Sequence, residues 1–183
     1  DIHAGYGGLT SQGRLCYAAS CEGGEGGSLR LLAAATAIRR DQPNVIFLDA
    51  GDEFQGSLYF NLHKEVMAAE MMNAMGYDAV IPGNHEFDDG PGPFLRLVSA
   101  LHMPVLAANM RLSGLHTKAA GLPADYQPAP WVILKRDGRR IGVIGLLTVD
   151  TARDASPGPD HRRVVLVGVV AEQQVERLQH FLV

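Results

Sequence analysis

Three short polar segments carry side chains able to hold a metal or move a proton: Asp1-Ile2-His3, Gly51-Asp52 and Gly83-Asn84-His85-Glu86, with Asp88 three residues beyond His85. In an extended segment alternate side chains share a face, so Asp1 and His3 can reach toward one point. Imidazole with carboxylate suits Zn, Mn, Fe or Co better than the all-oxygen sites of Mg or Ca. Asp52 could bridge two ions with its two oxygens, and two ions roughly 3.5–4 Å apart clamp both the attacking and the leaving oxygen of a phosphoryl group. Asn84 offers a neutral amide oxygen to the second ion. His85 can donate a hydrogen bond to a phosphoryl oxygen as charge builds in the transition state. Asp88 can accept from the other ring nitrogen, fixing the tautomer and favouring the imidazolium. Taken singly the signals are weak, since Asp-x-His pairs are commonly surface accidents, Gly-Asp is commonly a turn, and His85 could merely cap one. Their order along the chain is what gives them weight.

The elements around these segments are those of an α/β chain. Residues 1–27 read as loop, interrupted by glycines. Ser28 offers an N-cap to a helix with Leu31, Ala35 and Ile38 at helical spacing, stopped near Pro43. Val45-Ile46-Phe47-Leu48 is an unalternating apolar run, the pattern of a strand buried on both faces, and it leads into Asp49-Ala50-Gly51-Asp52. A helix over residues 64–75 closes at Gly76 in the C′ position. The strand Ala79-Val80-Ile81 then runs into Pro82-Gly83-Asn84-His85. A helix over residues 94–101 and a strand over 104–107 repeat the unit, so parallel βαβ connections are expected. In such sheets reactive groups gather at the carboxyl ends of the strands. Residues 113–129 read as loop, and Asp137-Gly138 predicts a two-residue hairpin turn between strands over 131–135 and 141–147. A last strand over 164–167 and a helix over 169–178 complete the reading, with no linker dividing two domains.

Composition narrows the class. The 183 residues carry 16 basic and 20 acidic side chains, a formal charge of −4, which excludes a strongly basic body made to grip a nucleic-acid polymer. No apolar run approaches the roughly 18–20 residues of a membrane span. Cys16 and Cys21, in a Gly/Ser-rich stretch, are too few for a structural zinc site. By spacing alone they are either two free thiols or a local disulfide. His63, His102, His116, His161 and His180 lack a ligand partner at a telling spacing and read as surface or helix-end residues. Met67, Met71, Met72 and Met75 read as core filler, and Arg162-Arg163 as a solvated strand edge. Glu86 and Asp89 flank the polar centre without an assigned role. No Gly-x-Gly-x-x-Gly follows a first strand, which argues against a Rossmann nucleotide-binding domain.

The sequence Asp-x-His, then Gly-Asp, then Gly-Asn-His-Glu resembles the calcineurin-like metallophosphoesterases. Asp49-Ala50-Gly51-Asp52, Gln55-Gly56-Ser57 and Asn84-His85-Glu86-Phe87-Asp88 are similar to the secreted and periplasmic 5′-nucleotidase family. The resemblance implies a four-layer αββα sandwich, of which this chain would be the N-terminal half. It implies two divalent metal ions (Zn, Mn or Co), with Asp1, His3 and Asp52 holding one and Asp52 and Asn84 the other, and His85 with Asp88 as the catalytic dyad. It implies a nucleotide substrate cleaved to nucleoside and phosphate, a secreted, periplasmic or surface location, and a Cys16–Cys21 disulfide. Nothing here matches the family's later metal ligands, which include two histidines. The strand that should precede Asp1 and the C-terminal substrate-binding domain are also missing, so residues 1–183 are expected to form a truncated domain with little activity alone. Nucleotide-sugar pyrophosphatases and 2′,3′-cyclic phosphodiesterase/3′-nucleotidases share this core, and a non-catalytic metal-binding remnant is the alternative from outside enzymology.

Overall fold

A computed structural model describes residues 2–10, 12–16, 24–112 and 114–155, apart from the side chains of 114–116 and 152. The expected strand over 164–167, the helix over 169–178, Asp1, Cys21 and Arg162-Arg163 lie outside the described residues.

The glycine-rich start is not all loop. β1 (Gly8–Leu9) pairs antiparallel with β2 (Leu15–Cys16), and Leu9 also bridges Glu25. α1 (Ser28–Asp41) follows, capped by Gly27 rather than by Ser28, whose backbone N–H and hydroxyl both donate to the Tyr6 carbonyl. β3 (Leu48–Asp49) leads to α2 (Leu58–Met75), and β4 (Ala79–Val80) pairs with β3 in parallel. A 3₁₀ turn (His85–Phe87) precedes α3 (Pro91–Ala100), with proline at the helix start. Single parallel bridges, Val80 to Val105 and Leu106 to Ala129, carry the sheet beyond β4. The segment expected to be loop contains α4 (Gly114–Ala119). β5 (Trp131–Arg136) and β6 (Arg139–Ile144) form the expected hairpin, and positive φ at both Asp137 and Gly138 is the turn that matches strand twist. α5 (Thr151–Asp154) ends the described chain.

α2 starts six residues earlier than its periodicity predicts, because the Ser57 hydroxyl caps it by accepting from the Tyr59 amide. Lys64, the expected first residue, is instead a kink at φ 49, ψ −138. Its ammonium pairs with Asp89 at 2.7 Å and lies 4.4 Å over the Phe60 ring. Gly76 closes the helix in the left-handed conformation, as expected.

The core lies between the sheet and α2 and α3. Phe54, Phe87, Phe94, Leu95, Leu106 and Leu147 are fully enclosed, and Met72 and Met75 fill the core as predicted, whereas Met67 and Met71, expected with them, are only half-buried. The burial expected of the run 45–48 fails, and α1 forms as expected with part of its apolar stripe exposed. Leu48 is 43% exposed, and Leu31 and Ile38 of α1 are 39% and 52% exposed. Only Leu48 of the run enters β3, where Asp49 is buried and Leu48 exposed, and residues 45–47 precede the strand. Phe47 stacks on Tyr77 and receives Arg39 over its ring, whereas no described element covers Leu48. Of the apolar run expected to be a doubly buried strand, only Leu48 lies in a strand, and it is not buried among the described residues.

Candidate metal centre

The loops leaving β3 and β4 meet the N-terminal segment at one place. The backbone amides of Ile2 and His3 donate to the Asp52 carbonyl at 3.1 and 2.9 Å, and that of Ala4 to the Glu53 carbonyl at 2.8 Å. These bonds hang His3 on the β3 loop. Close approach explains two glycines of the motifs: a Cβ on Gly56 would stand 2.3 Å from the His3 carbonyl oxygen, and one on Gly83 would stand 2.1 Å from Asp52 Oδ1. Six non-glycine residues have left-handed φ among the described residues, and four of them, His3, Ala4, Asp52 and Gln55, lie here. Such strain is held only where the surroundings over-determine it.

The result brings together three of the predicted residues. Ligand-type atoms of His3, Asp52 and His85 all lie within 4.8 Å of one another, and each side chain is half-buried. The two imidazoles stand edge to face with centroids 5.0 Å apart. His3 Nδ1 lies 3.3 Å from the Phe54 carbonyl, which can only accept, so this nitrogen carries a proton and, in the neutral ring, the lone pair is on Nε2. Asp52 Oδ1 accepts the His85 backbone amide at 3.0 Å, leaving Oδ2. Two imidazoles and a carboxylate, one with its tautomer already fixed, fit a divalent transition metal. Asn84 is half-buried and immediately precedes His85 in the same loop. Asp1 falls outside the described residues.

His85 also meets Asp88 as expected, Nδ1 donating to Oδ2 at 2.6 Å across a single turn. That hydrogen bond holds the His85 pKa above the usual histidine value, helped by the charges of Asp88, Asp52 and Glu86 and opposed by burial. His63 and His102 are exposed, as predicted for bystanders.

Sequence reasoning left Glu86 without a role, yet it is the most heavily bonded side chain here. It is 2% exposed, and its carboxylate accepts from the amides of Asp52, Glu53, Phe54 and Gly83 at 2.9, 2.7, 3.2 and 2.6 Å. Burial pushes its pKa up, and the four amides pull against that. Glu53 and Asp49 were missed as well. Both are buried, and burial together with the charges of Asp49 and Glu86 pushes the Glu53 carboxyl up to about 8. The Asp49 carboxyl is also raised by burial, with Gly51 N–H and Tyr77 bonded to it. No pattern in the sequence separates these acids from surface ones; only their place directly after a buried strand hints at it.

The loops after the parallel strands β3 and β4 present Asp52 and His85, the N-terminal segment brings His3 against them, and the three together could hold a metal at the carboxyl edge of an α/β sheet. Residues 1–141 match the calcineurin-like phosphoesterase family, and the chain belongs to that family, one of phosphoric ester hydrolases. Bovine 5′-nucleotidase is 34% identical over 182 residues, covering 98% of this chain and 29% of that protein. The crystal structure of a 5′-nucleotidase precursor from Thermus thermophilus superposes with a TM-score of 0.70 at 34% identity, covering 87% of this chain and 29% of that one. That of a Haemophilus influenzae NAD nucleotidase gives 0.68, also at 34%, covering 86% and 30%. The chain thus spans less than a third of the length of these three relatives. The family resemblance read from the sequence is borne out. No helix among the described residues is long and apolar enough to cross a membrane.

Proposed function

We propose that this chain supplies the first half of the active site of a dinuclear metal-dependent nucleotidase acting on nucleoside 5′-monophosphates. The observation that carries this reading is the convergence of His3, Asp52 and His85 beside the His85–Asp88 pair. Asp1, His3 and Asp52 would hold one ion, and Asp52 and Asn84 the second; the likeness to 5′-nucleotidases supports the pairing and the substrate. Divalent ions bound there would polarise the phosphoryl group and activate water. The protein's own part is to orient and to move protons. His3 is locked by the Phe54 carbonyl, so its Nε2 is presented without a tautomer change. His85, with Nδ1 given to Asp88, offers Nε2–H to the charge that develops on phosphoryl or leaving oxygen.

The proximity of His85 to His3 and Asp52 also favours a second reading in which His85 is itself a ligand. A ligating imidazole must be neutral, whereas Asp88 favours the cation. The contact with Asp88 supports the proton-donor role. Measuring Mn content and phosphate release from AMP in the full-length His85→Ala protein separates the two. Retained metal with turnover down about 10²–10⁴-fold fits the donor; loss of metal sinks it.

The larger architecture is part of the same proposal. The chain forms one half of a four-layer αββα sandwich, with a further substrate-binding domain elsewhere in the protein. Support comes from the 29% coverage of relatives and from the uncovered Leu48 and Ile38. A Cys16–Cys21 disulfide, and with it an oxidising location outside the cytosol, completes the reading; thiol titration before and after reduction tests it. Assaying the full-length protein on AMP, UDP-glucose and a 2′,3′-cyclic nucleotide decides between this activity and the pyrophosphatase or cyclic phosphodiesterase activities of the same core. A protein that binds metal and cleaves none of them would be the non-catalytic remnant.

A further inference from the structure

We propose that Glu86 is the positioning residue of this centre, an anionic tie that sets the distance between the Asp52 loop and the Asn84–His85 loop and thereby the affinity for the second ion. The inference rests on the metal reading above and adds to it a residue that reaches no ion. A carboxylate has two oxygens and about four lone-pair sites. Here all four are taken: Oε1 by the amides of Glu53 and Phe54, Oε2 by those of Asp52 and Gly83. None remains for a metal. Three donors come from the loop after β3 and one from the loop after β4, so a single side chain spans the gap that Asp52, Asn84 and His85 must also span. The span is already at contact, since Gly83 tolerates no Cβ against Asp52. Asp52 Oδ1 repeats the tie in the opposite direction through the His85 amide.

No cation partners Glu86 among the described residues, so the amides alone offset the cost of burying its charge. The cradle therefore specifies a carboxylate of this length. Glutamine would turn an NH₂ toward two amide donors, losing two bonds and adding donor–donor repulsion. Aspartate keeps the charge and both oxygens but falls one methylene short of the far loop.

The test uses the full-length protein and the Glu86→Gln and Glu86→Asp variants. Near-UV circular dichroism of the metal-free proteins checks folding. Mn²⁺ titration calorimetry then gives affinity and stoichiometry, and electron paramagnetic resonance reports magnetic coupling between paired Mn²⁺ ions. Folded Glu86→Gln is expected to bind Mn²⁺ about 10–100-fold more weakly and to lose the coupled signal, with Glu86→Asp recovering part of both. Wild-type affinity and a coupled spectrum in Glu86→Gln overturn the proposal. A wild-type protein that binds no Mn²⁺ overturns the metal reading instead, a distinct result. If neither variant folds, hydrogen exchange in the metal-free wild type decides. Strong protection of the Asp52, Glu53, Phe54 and Gly83 amides supports the tie, and rapid exchange of these four overturns it.

Discussion

The loops that leave β3 and β4 and the outer surface of β3, α1 and α2 are built to opposite rules. In the loops, polar side chains are tied down: buried Glu86 by four amides, half-buried His85 by Asp88, half-buried His3 by the Phe54 carbonyl. On the outside, Ile38, Leu48 and Leu62 are 52%, 43% and 74% exposed. The difference is one of range. A polar cradle closes within a few residues of two neighbouring loops, whereas burying a leucine on both faces of a sheet needs a further layer. Such a polar cradle can thus be complete while the described residues leave apolar side chains exposed.

The sharpest way to break this comparison is at Asp52. Asp52→Asn keeps one oxygen for the His85 amide but removes the charge a bridging ligand needs. Phosphate release from AMP by the full-length protein is expected to fall by about 10³-fold or more; a loss under tenfold would remove Asp52 from the centre. The core beneath the loops responds in stability instead. Leu95, fully enclosed, should cost about 2–5 kcal/mol on truncation to alanine in denaturant unfolding.

The buried acids separate the two regions by pH. Because the Glu53 pKa is raised in the folded state, the folded protein holds a proton there that the unfolded chain releases. Stability of the metal-free protein should therefore be full below the ordinary glutamate range and fall as pH rises toward about 8. Glu53→Gln should flatten that fall by on the order of 2 kcal/mol in thermal or denaturant unfolding. An unchanged slope would mean that Glu53 ionises freely.

The Asp88 contribution is smaller and has the opposite purpose. Its hydrogen bond raises the His85 pKa, so Asp88→Asn should lower it in an NMR titration of the metal-free protein. If protonated His85 is the donor, the alkaline fall in activity moves to lower pH in the same variant. A His85 titration that ignores the substitution would uncouple the pair.

How much of this was legible follows the same division of range. The polar segments announced themselves because metal and proton chemistry needs particular residue types, and His3, Asp52 and His85 do converge. The hairpin at Asp137-Gly138 and the closure of α2 at Gly76 were legible because both rest on local φ preferences. Glu86 was not, since its meaning lies in amides up to 34 residues away. The kink at Lys64 was hidden for a similar reason: its partner Asp89 lies 25 residues on, in the loop after β4. Hydrophobicity of residues 45–48 read as double burial because an apolar run records that a strand is covered somewhere, and not by which part of the protein.

That last point gives the mildest prediction. Leu62→Ala and Ile38→Ala, on the open faces of α2 and α1, should change the stability of the 183-residue chain by no more than about 0.5 kcal/mol, as exposed positions do. In the full-length protein, covering layers would bring Ile38 toward the cost of a buried aliphatic truncation, about 2–5 kcal/mol. Urea unfolding of both forms checks the contrast. A large loss in the short chain would mean that these side chains are already buried there, by residues beyond those described. An equal, small effect in both forms would leave the exterior bare in the whole protein and would count against the four-layer sandwich. The expected result, near zero in one form and a core-like cost in the other, would show that a single leucine or isoleucine changes from surface to core without altering its own helix.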